Sequence, residues 1–272
     1  MKDIVENRRR ITFGKKVELF FLLLRENGFI WCASFAVYYC ASKVSDIAYR
    51  WMDELRRRHG LPGMNSRALN RAIWEAWDWS AGGDEWTPTE EWKQSVITQV
   101  LRHQVPQGGD VLEIGPGGGR WTGELIRRAK QFTAVDISAA CVEVCRKKFA
   151  DAPNAKFLLG SGRDLADIPD LSVDAVWSFD VFVHINSEEA SAYYDDFRRI
   201  LRPGAVAIIH HGSAGGKFGG WRSDVTEEKM KSMLAERGFE LVTSFKEWQD
   251  NGQTHKAGLY EDLITVFRKP EK

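Results

Sequence analysis

The stretch Trp177-Ser-Phe179-Asp180-Val-Phe-Val-His184 sets a carboxylate and an imidazole four residues apart, and His210 and His211 follow as a pair. Imidazole is the side chain whose ordinary pKa suits a proton acceptor at neutral pH. His184 could therefore take a proton from a hydroxyl group, with Asp180 orienting its ring. The alternative for His184 is to cap the next helix or bond to backbone. Successive residues of a strand point to opposite faces, so only one of His210 and His211 can face a cleft unless the strand has ended. Two imidazoles and an acid could also hold a divalent ion, but no spacing here specifies one, and no metal site is expected.

These side chains need a scaffold, and the clearest piece of it is Val111-Leu-Glu113-Ile-Gly115-Pro-Gly117-Gly-Gly119-Arg120-Trp121-Thr122. Asp110 to Ile114 reads as a short buried strand, and Trp121 to Ala129 as a helix. Glycines between them let the backbone turn tightly and approach a ligand closely. A strand, a glycine loop and a helix N-terminus form a nucleotide site at the carboxyl end of a parallel sheet. A second strand, Gln131 to Val135, ends in Asp136, 21 residues after Gly115. An acid at that place can accept both hydroxyls of a ribose.

The string E-I-G-P-G-G-G-R-W-T, followed by V-D-I-S and later by Leu201-Arg-Pro-Gly204, resembles the class I S-adenosylmethionine-dependent methyltransferases. The resemblance implies S-adenosylmethionine as cofactor and S-adenosylhomocysteine as product. It places Glu113, Gly115, Gly117, Gly119, Trp121, Asp136 and Ile137 about the cofactor. It also implies an adenine-framing turn after the third strand, here Gly160-Ser161-Gly162-Arg163-Asp164, often with an acid two residues past the strand. Serine fills that place, so backbone groups of Gly162 and Arg163, and Asp164, become the expected contacts. Phe179 and Asp180 fall where the family lines the methionine region. Trp86 belongs to an aromatic stretch, Trp77 to Trp86, that reads as an ordered lid, and tryptophan faces can hold a sulfonium cation.

Trp221, Arg222 and Asp224 close a glycine-rich loop, expected to be mobile and polar beside the cleft. An aromatic platform with hydrogen-bonding Arg and Asp suits a saccharide. Alternatively Ser223, Asp224 or Thr226 caps the helix that follows. The strings L-P-G-M-N-S-R, W-D-W-S, E-W-T-P, S-F-D-V-F-V-H-I and G-W-R-S-D look like a bacterial branch of the family associated with polysaccharide or glycoconjugate genes. The expected reaction is O-methylation of a hydroxyl on a saccharide or glycosylated metabolite, with His184 as base. One alternative is a carbon or nitrogen methyltransferase of a small apolar metabolite, which would favour a dry aromatic cleft. Another is a cofactor-binding partner subunit without catalysis.

From residue 110 strands and helices alternate, which predicts a doubly wound α/β fold with seven strands, at 110–114, 131–135, 155–159, 173–178, 204–210, 239–245 and 261–268. Helices are expected at 120–129, 138–149, 187–201 and 226–237, with one from Asn65 or Ser66 to about Trp77 and one, capped by Thr89, from Glu90 to His103. Lys246 to Gly258 leaves no room for a helix, and the family's last strand returns antiparallel. Residues 61–272 form the methyltransferase domain, with lid and helices at 61–105 and the catalytic core at 106–272.

Residues 1–60 form a helical extension, with helices at 15–27 and 29–58 separated near Gly28. The apolar runs Leu19 to Leu24 and Phe29 to Ala41 are each shorter than the roughly 20 residues of a membrane span. A homodimer through these helices is the expected assembly, with peripheral membrane contact secondary and a cytoplasmic location. Thirty-eight basic and 38 acidic residues balance, so a nucleic-acid partner is not indicated. The basic clusters are Arg8 to Arg10 with Lys15 and Lys16, and Arg56 to Arg58. Four cysteines without a C-x-x-C pair suggest neither a disulfide framework nor zinc.

Overall fold

In the computed structural model, residues 13–61, 63–216, 221–258 and 260–271 are described. The chain divides into two units, Met1–Leu61 and Pro62–Lys272. Arg8 to Arg10, and the Lys217 to Gly220 part of the glycine-rich loop, lie outside the described residues.

The first unit holds α1, Phe13–His59, interrupted at Gly28 by non-helical torsions (φ 78°, ψ 169°). This is the break expected between 15–27 and 29–58. Only glycine enters that region of backbone space without strain. Val17–His59 contains an 18-residue window of mean hydropathy 1.3, so by length and composition alone the whole stretch could cross a membrane, but the Gly28 break divides it.

In the second unit, α2 (Arg67–Ala76) starts at Ser66, whose side chain accepts from the Leu69 amide. Short 3-10 turns follow at Trp79–Ala81 and Asp84–Trp86. Thr89 caps α3, which runs through Glu90–Ser95, a π-helical Val96–Leu101 and Arg102–Gln104. Alternation then begins: β1 Asp110–Ile114, α4 Thr122–Arg128, β2 Gln131–Asp136, α5 Ala139–Lys148, β3 Ala155–Leu159, β4 Val173–Phe182, α6 Ser187–Ile200, β5 Leu201–His211, α7 Glu227–Glu236 and β6 Glu240–Phe245. Two short strands, β7 Glu247–Asp250 and β8 Gln253–Lys256, precede β9 Leu263–Arg268.

The main sheet has seven strands in the order β3-β2-β1-β4-β5-β9-β6. β9 runs antiparallel to both its neighbours, whereas β1 to β5 pair in parallel. The central strands are apolar on both faces because helices cover both, as a parallel sheet requires. One core layer packs Phe182, Tyr194, Phe197 and Phe267 under α6 and α7. The other packs Trp92, Leu101, Trp121, Phe132 and Trp177 under α3 and α4.

Two stretches differ from the sequence reading. The stretch 246–258 is not a plain loop, because β7 and β8 pair as a separate antiparallel ribbon. Indole donors pin that ribbon to α3: Trp248 Nε1 donates to Ser95 Oγ (2.7 Å) and Trp92 Nε1 to the Lys256 carbonyl (2.8 Å). β4 continues past residue 178 to Phe182 through a bulge, with Ser178 opposite Ile209 and Phe182 opposite His211. Asp180 sits inside that bulge at φ 61°. Bulges re-aim side chains next to active sites.

The glycine loop is held by the lid. A Cβ on Gly117 would stand 2.8 Å from the Trp79 ring, and one on Gly118 would stand 2.5 Å from the Gly82 backbone. Lys148 Nζ adds a hydrogen bond to the Gly118 carbonyl (2.8 Å). Gly118→Ala should therefore push the lid off the loop, costing about 1–3 kcal/mol of stability, the scale of overpacking. A thermal melt unchanged from wild type would contradict that contact.

Candidate functional site

The carboxyl ends of β1, β2 and β4 open into a cleft of about 860 Å³, roofed by α2, the tryptophan lid and β8. Gly115 and Gly117 form its floor, with Asp136 and Ile137 at the end of β2 and Gly162 after β3. Asp136 is buried. Its Oδ1 accepts from the Ser138 amide (2.9 Å) and its Oδ2 from the Gly117 amide (3.2 Å). Burial pushes its carboxyl up to about 6, against these amide donors, which favour the charged form.

Glu113 does not reach the cleft. It lies buried beneath the loop and accepts from Thr122 Oγ1 (2.6 Å), so it ties β1 to the start of α4. Burial pushes its carboxyl up to about 8, so it is neutral at pH 7. Gly119 also faces away, against Phe149. Arg163 and Asp164 are exposed and outside the lining, and both their amides donate to Ser161 Oγ (3.0 and 3.1 Å). Of the turn after β3, Gly160 and Gly162 meet the cleft. The expectation for Arg163 and Asp164 is corrected because the serine that replaces the acid takes the amide donors of both.

Trp121 and Phe179 line the cleft and pack together (5.1 Å between rings). The guanidinium of Arg120 lies over both rings, at 4.8 and 5.7 Å from their centroids. Its Nη2 pairs with Asp180 Oδ2, while its Nη1 is buried without a partner at the cleft. Burial alone would raise the Asp180 carboxyl. The charges and hydrogen bonds of His210 and Arg120 outweigh that and hold it well below the usual carboxylate range.

The three histidines take different places. His184 lines the cleft, between Trp74 (5.7 Å) and Trp221 (6.2 Å). Its Nδ1 is 2.7 Å from the Trp221 carbonyl, so that nitrogen carries the proton and Nε2 keeps its lone pair. Burial pushes its imidazole below the ordinary value, partly opposed by that hydrogen bond and assisted by the charge of Arg222. His210 is buried under the cleft, stacked on Phe179 at 4.2 Å. Its Nδ1 is 3.1 Å from both the amide and Oδ1 of Asp180, and its Nε2 is 3.9 Å from Asp262. His211 points away from the cleft. Its nitrogens meet the Gly212 carbonyl and Thr265 Oγ1, each at 2.8 Å, and burial lowers it to about 4. His211 is therefore a neutral strut between β5 and β9, as strand alternation requires for one of the pair.

Trp221 and Arg222 line the cleft, and Arg222 pairs with Asp262 while covering the Tyr260 ring (5.0 Å). Asp224 does not join them. It caps α6, accepting from the amide (2.7 Å) and hydroxyl (2.9 Å) of Ser187. The described part of this loop is fixed rather than loose, since the Ser223 amide donates to the Val183 carbonyl (2.8 Å). Trp86 lines the cleft within a cluster of Trp74, Trp77 and Trp79. Among the described residues, no group of three His, Cys, Asp or Glu side chains converges to hold a metal ion.

Sequence reasoning missed several wall residues. Asn70 on α2 donates to the His184 carbonyl (3.4 Å), and Trp74, Glu189, Tyr193, Asp262 and the tip of β8 also line the cleft. Arg120 was within the quoted motif, yet its buried, half-paired state depends on Asp180, 60 residues away.

Residues 111–204 match the family model described as methyltransferase domain. An uncharacterized methyltransferase of Oceanobacillus iheyensis is 29% identical over 114 residues, 41% of this chain and 51% of that protein. The demethylmenaquinone methyltransferase of Tropheryma whipplei is 30% identical over 39% of this chain and 42% of its own length. The chain thus spans about half the length of these curated relatives. Among solved structures, the N-methyltransferase NodS of Bradyrhizobium japonicum WM9, bound to S-adenosylhomocysteine, superposes with TM-score 0.56 at 17% identity, over 76% of this chain and 99% of that one. A putative methyltransferase of Haloferax volcanii, solved with the Trm112 activator, gives TM-score 0.56 at 18% identity, over 72% of this chain and 97% of that chain.

The second unit therefore has the class I methyltransferase fold, and residues 111–204 within it match the methyltransferase-domain family. The cofactor of that family is S-adenosylmethionine, and the cleft fits it. The unpartnered Nη1 of Arg120 leaves a donor suited to a carboxylate such as that of its methionine, and the Asp136 carboxylate leaves an acceptor suited to hydroxyls such as those of its ribose.

Two measurements check the carboxylates. Asp136→Asn should weaken S-adenosylmethionine binding by about 1.5–3 kcal/mol, the scale of a hydrogen bond to a charged group. Wild-type affinity should fall as pH drops through about 6, where Asp136 takes up its proton, and the variant should lack that dependence in calorimetry. Glu113 binds its proton more tightly folded (about 8) than unfolded (about 4.5), so its contribution to stability declines as pH rises between those values. Glu113→Gln keeps the acceptor for Thr122 and should flatten that decline in denaturant titrations. A variant with the same slope as wild type would show that Glu113 titrates normally.

Proposed function

We propose that this protein is an S-adenosylmethionine-dependent methyltransferase that O-methylates a hydroxyl of a saccharide or glycosylated metabolite, with His184 as general base. One observation carries the base assignment. His184 spends its Nδ1 proton on a fixed backbone carbonyl and faces the cleft with a neutral, lowered-pKa ring. When bound, the cofactor supplies a methyl group on a sulfonium, already attached to a good leaving group.

The chain's own residues do the rest. Arg120 binds the methionine carboxylate while Asp180 fixes its guanidinium. Asp136 accepts from the ribose, and Ile137 and Gly162 flank the base. Trp74 and Trp221 offer apolar faces on which a sugar ring stacks, and the Arg222–Asp262 pair offers donors and acceptors for its hydroxyls. His184 Nε2 takes the proton of the acceptor hydroxyl as the oxygen attacks. The lid and β8 exclude water, which strengthens these electrostatic contacts.

The aromatic lining also favours a second reading, carbon or nitrogen methylation of a small apolar metabolite, for which His184 would be dispensable. His184→Ala separates the two. With a hydroxyl acceptor it should lower turnover by roughly 10²–10⁴ and leave cofactor affinity nearly unchanged. The wild-type rate should rise with pH through a value below the ordinary 6.5 or so of histidine. Labelled cofactor with fractionated cell extract gives the assay. Activity within a few-fold of wild type would remove His184 as the base, and no methyl release by the wild-type chain would favour a non-catalytic subunit.

A further inference from the structure

Residues 29–42 of α1 are free of charge, and at 1.5 Å per residue they make a rod about 21 Å long. Apolar side chains surround it rather than forming one stripe. Phe29 and Tyr38 are nine residues apart, about half a turn round at 3.6 residues per turn, yet both are exposed, by 78% and 70%. Ile30 (81%) and Val37 (71%) are exposed on a third side. Among the described residues of this unit only Cys32 is buried. A second copy packed side by side would cover one stripe and leave the opposite face in water. A helix that is apolar all round belongs in a core or in lipid.

The next turns change character. Val44, Ile47, Trp51 and Leu55 form a single exposed stripe, flanked by Lys43 and Arg50 and opposite Asp46 and Asp53. That is the pattern of a helix lying in a membrane interface. Arg56, Arg57 and Arg58 close it, partly paired with Asp53 and Glu54. Charge points the same way. Met1–Leu61 carries twelve lysines and arginines against seven acids, although the whole chain is neutral. An anionic lipid surface attracts such a segment. The all-round apolar rod is shorter than the roughly 30 Å hydrocarbon core, and the Gly28 break and Arg25–Glu26 interrupt it on one side.

We propose that α1 is a monotopic membrane seat, with residues 29–42 sunk obliquely in one leaflet of an anionic bilayer and the basic end of the same helix, towards Arg56–Arg58, at its headgroups. The full chain, purified in mild detergent, is mixed with vesicles of phosphatidylcholine containing about 30% phosphatidylglycerol and floated on a gradient. Wild type should float. Phe29→Glu and Tyr38→Glu should each lower the bound fraction about tenfold or more, because lipid meets both faces. S-adenosylmethionine binding and the melting of the catalytic domain should be unchanged in both, which shows that the chain has folded and keeps this test separate from the methyltransferase reading. A chain that stays in the soluble fraction, as a monomer or as a dimer by light scattering, overturns the proposal. A dimer disrupted by only one of the two substitutions would assign α1 to a homodimer seam instead. Release of wild type by about 0.5 M salt alone would overturn insertion, since screening removes only the surface attraction.

Discussion

The site depends on one carboxylate held between a guanidinium and an imidazole. Asp180 leaves β4 in a bulge with left-handed torsions, which turns its side chain towards Arg120 on the β1 loop and His210 on β5. Arg120 is buried and Asp180 half-buried, and such a pair is costly to break, because the guanidinium left alone is an uncompensated buried charge. The pair therefore ties three segments together: the glycine loop at the cleft floor, the end of β4 that lines the cleft and the strand beneath. His210 continues the chain towards Asp262, which holds Arg222 at the far wall of the cleft. Strain at one residue is repaid by alignment of the whole floor.

Aromatic rings supply the walls. Four tryptophans of the lid and α2 pack edge to face or tilted on one another within about 6 Å. Such contacts favour a defined geometry over a loose lid. Their indole nitrogens find partners nearby, Trp77 on Glu85 and Trp79 on the Trp74 carbonyl. Trp79 and Gly82 then close on Gly117 and Gly118, so the roof and floor meet only because those floor positions lack side chains. The glycine loop thus serves the lid as well as the ligand.

Much of this was legible in the chain. Strand and helix positions from residue 110 onward follow from apolar runs, caps and glycines, all local properties, and the antiparallel last strand came with the family resemblance. The Gly28 break, the Ser66 and Thr89 caps and the place of Asp136 needed no knowledge of neighbours. His184 was readable as a side chain of the cleft, and alternation required one of His210 and His211 to face away.

What tertiary structure decided is whatever joins distant segments. The sequence could not say that Asp224 caps α6 through Ser187, because that contact crosses 37 residues. Nor could it say that Ser161 consumes the amides of Arg163 and Asp164, which depends on how that turn closes. The protonation of Glu113 and Asp136 follows from burial, which no local pattern reports. The bulge of β4 arises from its register with β5, and so the direction of Asp180, and with it the free nitrogen of Arg120, is set by packing rather than by spacing. Local physics chooses the elements, whereas the direction and charge of each side chain wait for the neighbours that bury it.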